Sequence, residues 1–203
     1  MMSLTELFFN IGSKLNIISV LIGGLALPAY NVGRTTLDID IAIYVKSQKK
    51  LNRLVETLSK YGIQTQQNPK INHDLFTIYG KKNEAEIWLK PCDEFNWDQK
   101  MVERTFYIEK NIRVLSIEDF ILTKLARSDR TSIDVDDIIQ ILIANSDSID
   151  WDYLNYRIAW ANVKKDFEKL LEEFSQKAIS EYQDIANNIL KQYQKSKQNQ
   201  SFE

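Results

Sequence analysis

Residues 17–45 read IISVLIGGLALPAYNVGRTTLDIDIAIYV, and this stretch says most about the fold. The β-branched apolar run Ile17–Ile22 is typical of a buried strand, and it stops at a pair of glycines. A short helix is predicted next, at about Leu25–Asn31, followed by a turn-rich loop. Asp38–Val45 alternates polar and apolar residues before becoming wholly apolar, which predicts a second strand.

Two carboxylates, Asp38 and Asp40, lie at the start of the second predicted strand. Side chains at positions i and i+2 of a strand project from the same face of a sheet, so these acids are expected side by side. Such a pair favours a positive partner, and its hard oxygen atoms favour Mg²⁺ or Mn²⁺ over zinc. The plainer interpretation is the polar face of an exposed strand, because a D-x-D pair also occurs there.

Gly23 and Gly24 separate the first strand from the predicted helix. Residues without a Cβ let the backbone approach phosphate oxygens, and a helix N-terminus offers N–H donors to an anion. A tight strand-to-helix turn is the alternative use of the same glycines. Taken with Asp38 and Asp40 on a neighbouring strand, the pattern predicts a phosphate-binding turn beside a metal site.

The rest of the chain changes from strands to helices. After Ser116 the apolar period changes from two residues to about 3.6, which is typical of helices. This order predicts an α+β fold, with a short mixed β-sheet flanked by helices and followed by a C-terminal helical bundle. The predicted domains are residues 1–115 and 116–203, and the Gln/Lys/Ser-rich residues 192–203 are expected to fray. The remaining predicted elements are helices at 4–15, 48–61, 117–128, 133–145, 151–161 and 163–193, and strands at 75–79, 85–89, 104–108 and 112–114.

Composition argues against several classes of site. A net charge of −2 and a pI near 5.6 disfavour a sequence-independent nucleic-acid binder, whose surface would be basic. With one cysteine, Cys92, and one histidine, His73, the chain lacks the residues for an internal disulfide or a zinc cage, and no nucleophile elbow supports a catalytic triad. There is no apolar run of about 18 residues and no resemblance to a secretory signal, so no membrane association and a cytoplasmic location are expected.

The stretch from the glycine pair to Asp40 resembles the signature of the DNA polymerase β-like nucleotidyltransferase superfamily. In that signature a Gly-Gly or Gly-Ser turn precedes the pattern R-x-[ST]-x-D-[ILV]-D, which Arg34, Thr36, Asp38 and Asp40 match. Within the superfamily the stretch is most similar to the AbiEii-like toxins and related small bacterial nucleotidyltransferases. The resemblance implies a nucleotidyltransferase fold, with residues 1–115 as the catalytic domain and residues 116–203 as a helical region.

The resemblance also implies a site for two Mg²⁺ or Mn²⁺ ions and for an NTP substrate. Asp38 and Asp40 would hold metal and take part in catalysis together with a third carboxylate from a later strand. Glu86 is the candidate for that third carboxylate, and Glu84 is its rival. The implied nucleotide-binding residues are Gly23, Gly24, Arg34, Thr36 and Lys124.

The second half of the chain resembles the same group. There, an apolar helix with a lysine is followed by an arginine and a D-x-x-D-[IL] pattern, and here these are Lys124, Arg130 and Asp134–Ile138. The resemblance implies that Lys124 contacts the triphosphate and that Arg130 orients Asp134 or Asp137 by an ion pair. A lattice of structural salt bridges is the alternative interpretation.

We therefore expect an enzyme that transfers a nucleoside monophosphate from an NTP to an acceptor hydroxyl. The resemblance implies a toxin-like or phage-defence role, with a tRNA end or a protein side chain as acceptor and a cognate antitoxin as partner. The alternatives are a small-molecule acceptor of the aminoglycoside type and a nucleotide-binding or regulatory module that does not turn over. The stripe Phe167, Leu170, Leu171 and Phe174 is compatible with a homodimer and equally with packing inside the monomer.

Overall fold

The computed structural model describes residues 2–200, which form two compact units. The sheet unit contains the residues up to Ala29 together with Arg34–Ser116, and the helical unit contains Tyr30–Gly33 together with the residues from Ile117 onward. The structural junction is thus Ser116/Ile117, with four earlier residues packed into the helical unit. The division into a catalytic domain and a helical region stays a prediction.

Strands over residues 2–200 form one mixed sheet inside the sheet unit, and helices occupy both units. The predicted α+β class, a mixed sheet flanked by helices and followed by C-terminal helices, is confirmed. The strands are β1 (Ile18–Ile22), β2 (Asp40–Tyr44), β3 (Gln64–Thr65), β4 (Leu75–Tyr79), β5 (Glu84–Trp88), β6 (Phe106–Tyr107) and β7 (Arg113–Val114).

The strand order is β3-β4-β5-β2-β1-β7-β6. β2 lies at the centre, antiparallel to β1 and parallel to β5, and β5 is antiparallel to β4. Val20, Ile41, Ile87 and Phe76, one from each of these four strands, are fully buried. Burial of such apolar side chains stabilises the sheet. The central strands β1 and β2 are buried at nearly every position, whereas on β4 and β5 the alternate positions are less buried.

Helices of the sheet unit start and stop at recognisable signals. The Ser3 hydroxyl accepts the Glu6 N–H at 3.1 Å while the Glu6 carboxylate accepts the Ser3 N–H at 2.7 Å, which begins α1. Gly62, at φ +76°, follows the C-cap residue of the helix at Gln48–Lys60, where a residue without a Cβ adopts this backbone at no steric cost. These helices are α1 (Leu4–Lys14), α2 (Gln48–Lys60) and α3 (Gln99–Glu103), with a 3₁₀ helix at Gly24–Tyr30.

One local prediction in the sheet unit had the wrong start, whereas the short helix predicted at about Leu25–Asn31 is confirmed at Gly24–Tyr30. The strand predicted at Asp38–Val45 begins at Asp40, because the Asp38 N–H donates to the Thr36 hydroxyl at 3.2 Å and this local bond competes with the strand ladder. The helix predicted after the glycines is a 3₁₀ helix, and Pro28 within it lacks the N–H that a longer α-helix would need. The sequence also missed the short elements β3 and α3.

The helical unit differs from prediction at its end. The single helix predicted over residues 163–193 is two helices, because the backbone at Ala178 is extended, with φ −59° and ψ 128°. The chain reverses there, and the ring centroids of Phe167 and Tyr193 lie 5.3 Å apart. The region predicted to fray is helical to residue 200. Residues 201–203 lie outside the described part. The helices are α4 (Ile117–Leu125), α5 (Ser132–Asn145), α6 (Trp151–Trp160), α7 (Lys164–Lys177) and α8 (Ser180–Gln200).

Internal packing accounts for most of the apolar stripe on α7. Phe167, Leu170 and Leu171 are buried inside the helical unit, and Phe174 is half-buried. A homodimer through this stripe stays a prediction. None of the helices within residues 2–200 combines the length and the apolar composition that a membrane span requires.

Candidate functional site

The three predicted carboxylates line one open pocket of about 610 Å³ on the sheet unit. Asp38 lies in the loop before β2, Asp40 is the first residue of β2, and Glu86 is the central residue of β5. Asp38 and Glu86 are exposed, whereas Asp40 is half-buried. The other polar residues of the lining are Thr77, Tyr79, Lys82, Asn83 and Glu84.

Parallel pairing of β2 with β5 brings Asp40 beside Glu86. The two residues are register partners, and the Glu86 N–H donates to the carbonyl of Ile39 at 2.9 Å. Side chains of register partners project from the same face, with strands about 4.8 Å apart. Glu84, two residues before Glu86, has the same facing, so the rival acid belongs to the same pocket.

Gly23 lies directly against Asp40. Its φ is +63°, which L side chains rarely adopt, and an added Cβ would lie 2.1 Å from Oδ2 of Asp40. Any larger residue would therefore strain the backbone and displace this carboxylate. The predicted phosphate-binding turn and the predicted metal ligand are thus immediate neighbours.

Gly24 is covered by the predicted nucleotide-binding residues Arg34 and Thr36. An added Cβ would lie 2.7 Å from Nη2 of Arg34 and 2.8 Å from Cγ2 of Thr36. The guanidinium therefore lies against Gly24, the residue after the glycine that meets Asp40. The hydroxyl of Thr36 accepts the backbone N–H of Asp38, so Thr36 also shapes the loop that presents Asp38.

The part of the chain that the structure describes has no preformed metal site with three or more protein ligands. Among residues 2–200, no group of three or more His, Cys, Asp or Glu side chains is arranged to hold a metal ion. Mg²⁺ usually binds through one or two carboxylates and is completed by water and substrate phosphates. Paired carboxylates on an open pocket beside a glycine turn are a donor set of that kind, so the residues present fit a hard divalent ion that arrives with its nucleotide.

Lys124 lies in the helical unit, between two carboxylates. Its Nζ is 3.1 Å from Oδ1 of Asp134 and 2.8 Å from Oδ2 of Asp137, and all three side chains are buried. Burial opposes ionisation of Asp134, but the N–H of Thr131 and the Lys124 ammonium outweigh it and lower the pKa of this carboxyl. The role of Lys124 as a triphosphate ligand stays a prediction.

Arg130 does not make the ion pair that was expected of it with Asp134 or Asp137. It donates to the carbonyl of Leu125 and to the carboxylate of Asp166, the latter at 3.0 Å. Lys124 already neutralises Asp134 and Asp137, and Arg130 instead pairs with the exposed Asp166 near the start of α7.

Sequence reasoning missed a second buried ion pair in the helical unit. Nε of Arg157 lies 2.8 Å from Oδ1 of Asp119, with the two side chains 1% and 0% exposed. The hydroxyl of Tyr153 donates to Oδ2 of the same aspartate at 3.0 Å. The residues are far apart in the sequence, so only the packing of α6 on α4 reveals the pair.

Four polar pocket residues outside the original motif were also missed: Thr77, Tyr79, Lys82 and Asn83. Thr77 is the register partner of Glu86, and Tyr79 is the register partner of Glu84. The alternation of LFTIY over residues 75–79 could have indicated them, because burial of the second and fourth residues turns Thr77 and Tyr79 to the other face. Lys82 lies in the β4–β5 turn, and the sequence alone only groups it with other lysines.

The chain is similar to one protein family and to several solved structures. A family model described as "Nucleotidyltransferase of unknown function (DUF6036)" matches residues 2–190. No curated protein matches the chain. Among solved structures, the antibiotic-resistance factor ANT(2'')-Ia is 15% identical, with a TM-score of 0.49 over 80% of this chain and 91% of that chain.

Two further structures give similar values. ANT(2'')-Ia in complex with adenylyl-2''-tobramycin is 15% identical, with a TM-score of 0.46 over 78% of this chain and 94% of that chain. An antigenic nucleotidyltransferase-like protein from Paracoccidioides brasiliensis is 16% identical, with a TM-score of 0.48 over 90% and 89% of the two chains. The family model spans nearly the whole chain, so this protein belongs to the DUF6036 family and is a nucleotidyltransferase.

Proposed function

We propose that the chain transfers a nucleoside monophosphate from an NTP to an acceptor hydroxyl, using Mg²⁺ or Mn²⁺. One observation carries the proposal: Asp40 is paired in register with Glu86 and lies against Gly23, so two predicted metal ligands and the glycine turn meet at one end of the sheet. Asp38 lines the same pocket.

Asp38, Asp40 and Glu86 would hold the divalent ions, which when bound neutralise charge on the triphosphate. Arg34, held against the glycine turn, would bind phosphate oxygens through its N–H donors. The acceptor oxygen attacks the α-phosphorus, a new O–P bond forms, the bond from the α-phosphorus to the bridging oxygen breaks, and pyrophosphate leaves. The hydroxyl proton passes to a pocket carboxylate.

The glycines have a sharper role than the sequence suggests. Without a Cβ at either position, the Asp40 carboxylate and the Arg34 guanidinium can both approach the turn. We propose that Gly23 and Gly24 bring these two groups close enough to act on the same triphosphate. The ammonium of Lys124 is already held by Asp134 and Asp137, which makes Lys124 the weakest of the proposed nucleotide ligands.

The proposed acceptors are a tRNA end, a protein side chain or a small molecule. A toxin-like or phage-defence role, with a cognate antitoxin, rests on the resemblance of the Gly23–Asp40 motif to the AbiEii-like group. The mildly acidic net charge of −2 favours none of the three acceptor classes by itself.

The test uses the full chain with each of the four α-labelled NTPs, Mg²⁺ and a cell extract. Label should enter an acceptor with wild type, and should be lost without Mg²⁺ and in Asp38→Asn, Asp40→Asn and Glu86→Gln. Glu94→Gln, an exposed acid outside the pocket, is the matched control and should retain activity. The proposal fails if no NTP binds or labels anything, or if Asp40→Asn transfers as well as wild type.

A further inference from the structure

We infer that the β4 side of the pocket is the acceptor subsite and that Glu84 there binds a protonated amine on a small, hydroxyl-rich acceptor. The inference rests on the proposed function and names its acceptor class. Glu84 is the residue that determines which acceptor is used.

The order of the strands places different groups on the two sides of Asp40. On one side of Asp40, β1 ends at the glycine turn and Arg34, which is the proposed triphosphate side. On the other side β5 and β4 follow, where Glu84 pairs in register with Tyr79. Because Asp40, the proposed metal ligand on β2, lies between the two sides, an acceptor opposite the triphosphate would rest on β5 and β4.

Hydrogen-bonding groups on the β4 side suit a polyol. Thr77 and Tyr79 offer hydroxyls, and Asn83 in the adjacent turn offers an amide. The pocket volume of about 610 Å³ lies within the range of small-molecule sites, roughly 300–1,000 Å³. The site is therefore large enough for an oligosaccharide-sized molecule beside the reacting phosphate.

Charge selects among hydroxyl acceptors. With Asp38, Asp40 and Glu86 assigned to the divalent ions, Glu84 is the carboxylate left over, and it forms no ion pair with another described residue. Lys82 is the one basic residue among the described residues that line the pocket. An RNA end would bring several phosphates, which need several cationic contacts, whereas an ammonium group next to the accepting hydroxyl would be attracted by Glu84.

The reaction itself is unchanged by this assignment. The acceptor O–H oxygen bonds to the α-phosphorus, pyrophosphate leaves, and the hydroxyl proton goes to a pocket carboxylate, while the amine keeps its proton. Glu84 contributes to binding of the acceptor and not to bond breaking, so its substitution should act on the acceptor KM and leave the KM for NTP unchanged.

The experiment divides a cell extract into small-molecule, RNA and protein fractions, with kanamycin as a defined amino-sugar probe and trehalose as an uncharged one. The full chain, labelled NTP and Mg²⁺ are added to each. We expect label in the small-molecule fraction and on kanamycin, and loss of both after N-acetylation of the amines. Glu84→Gln should raise the acceptor KM about tenfold, while Glu84→Asp, which keeps the charge, and Glu94→Gln should stay near wild type.

Several results would overturn the inference while leaving the proposed function standing. These are label confined to the RNA or protein fraction, small-molecule labelling that survives N-acetylation, and a Glu84→Gln variant with an unchanged acceptor KM. A larger effect of Lys82→Gln than of Glu84→Gln would point to a phosphate-bearing acceptor instead. If no fraction is labelled and NTP does not bind, the proposed function fails and this inference fails with it.

Discussion

Two buried carboxylates of the helical unit and two carboxylates of the pocket have opposite surroundings. In the helical unit, Asp119 and Asp137 are almost fully buried, and each lies 2.8 Å from a cationic nitrogen of its own chain. In the sheet unit, Asp38 and Glu86 are exposed on an open pocket, and neither forms an ion pair with another described residue.

This difference separates structural charges from charges available to a ligand. Removing a carboxylate from water is very unfavourable unless a fixed cation compensates it, so a buried acid must find its partner within the chain. An acid at an open pocket keeps its hydration and can exchange water for a metal ion. Substitutions in the helical unit should therefore change stability, and substitutions in the pocket should change transfer.

The largest expected effect is on stability, at the buried pair of Asp119 and Arg157. Asp119→Ala removes the carboxylate that lies 2.8 Å from a guanidinium only 1% exposed, and should lower the free energy of unfolding by about 3–5 kcal/mol. Urea unfolding followed by circular dichroism measures the change. Asp129→Ala, which removes an exposed partner of Arg127, is the control, and it should change the free energy of unfolding much less because water screens this pair. Equal losses in the two variants would contradict the comparison.

Asp38→Asn should show the reverse behaviour. Loss of one proposed metal ligand is expected to lower the rate of nucleotidyl transfer about 10²–10³-fold, since electrostatic stabilisation at the reacting centre has that magnitude. The free energy of unfolding should change by less than about 0.5 kcal/mol, because the side chain is exposed. Label incorporation and urea unfolding on the same preparation test both halves. A variant that is destabilised as much as Asp119→Ala would show that Asp38 is structural.

Lys124→Met tests the same comparison at a residue to which the family resemblance assigns triphosphate binding. The substitution leaves two buried carboxylates without their cation and should lower the free energy of unfolding by about 2–3 kcal/mol. The dissociation constant for NTP, measured by calorimetry below the unfolding transition, should stay unchanged, because the ammonium is already held by Asp134 and Asp137. Nucleotide binding that weakens tenfold would support the triphosphate role instead.

The smallest expected effect is the contribution of Asp134 to the pH dependence of the free energy of unfolding. Its pKa in the folded state is below the ordinary value of 3.8, so the unfolded state binds more protons when the pH falls past that value. The stability contributed by this carboxylate is present at neutral pH and is lost on acidification below pH 3.8. Urea unfolding at neutral and acid pH should show a smaller acid loss for Asp134→Asn than for wild type, and an identical loss would exclude the assignment.

Local sequence patterns were sufficient to predict many of the strands and helices of the sheet unit. The sequence placed β4 at Leu75–Tyr79, the bounds that the structure has, and the apolar residues alternate along it. The family resemblance likewise needed only the order of a glycine turn, an arginine and two aspartates. Each of these signals is short-range, because it depends on backbone preferences or side-chain spacing within a few residues.

What the sequence determined by itself is which side chains share a face of one strand or one helix. Tertiary structure decided which faces meet: that β5 lies parallel to β2 with Glu86 beside Asp40, that Asp40 rests on Gly23, and that Lys124 turns to two aspartates of α5. Periodicity cannot name a partner strand, since the pairing depends on burying the apolar faces of the whole sheet at once. Local motifs therefore predicted which side chains belong to the pocket, and long-range packing alone determined how those side chains are arranged.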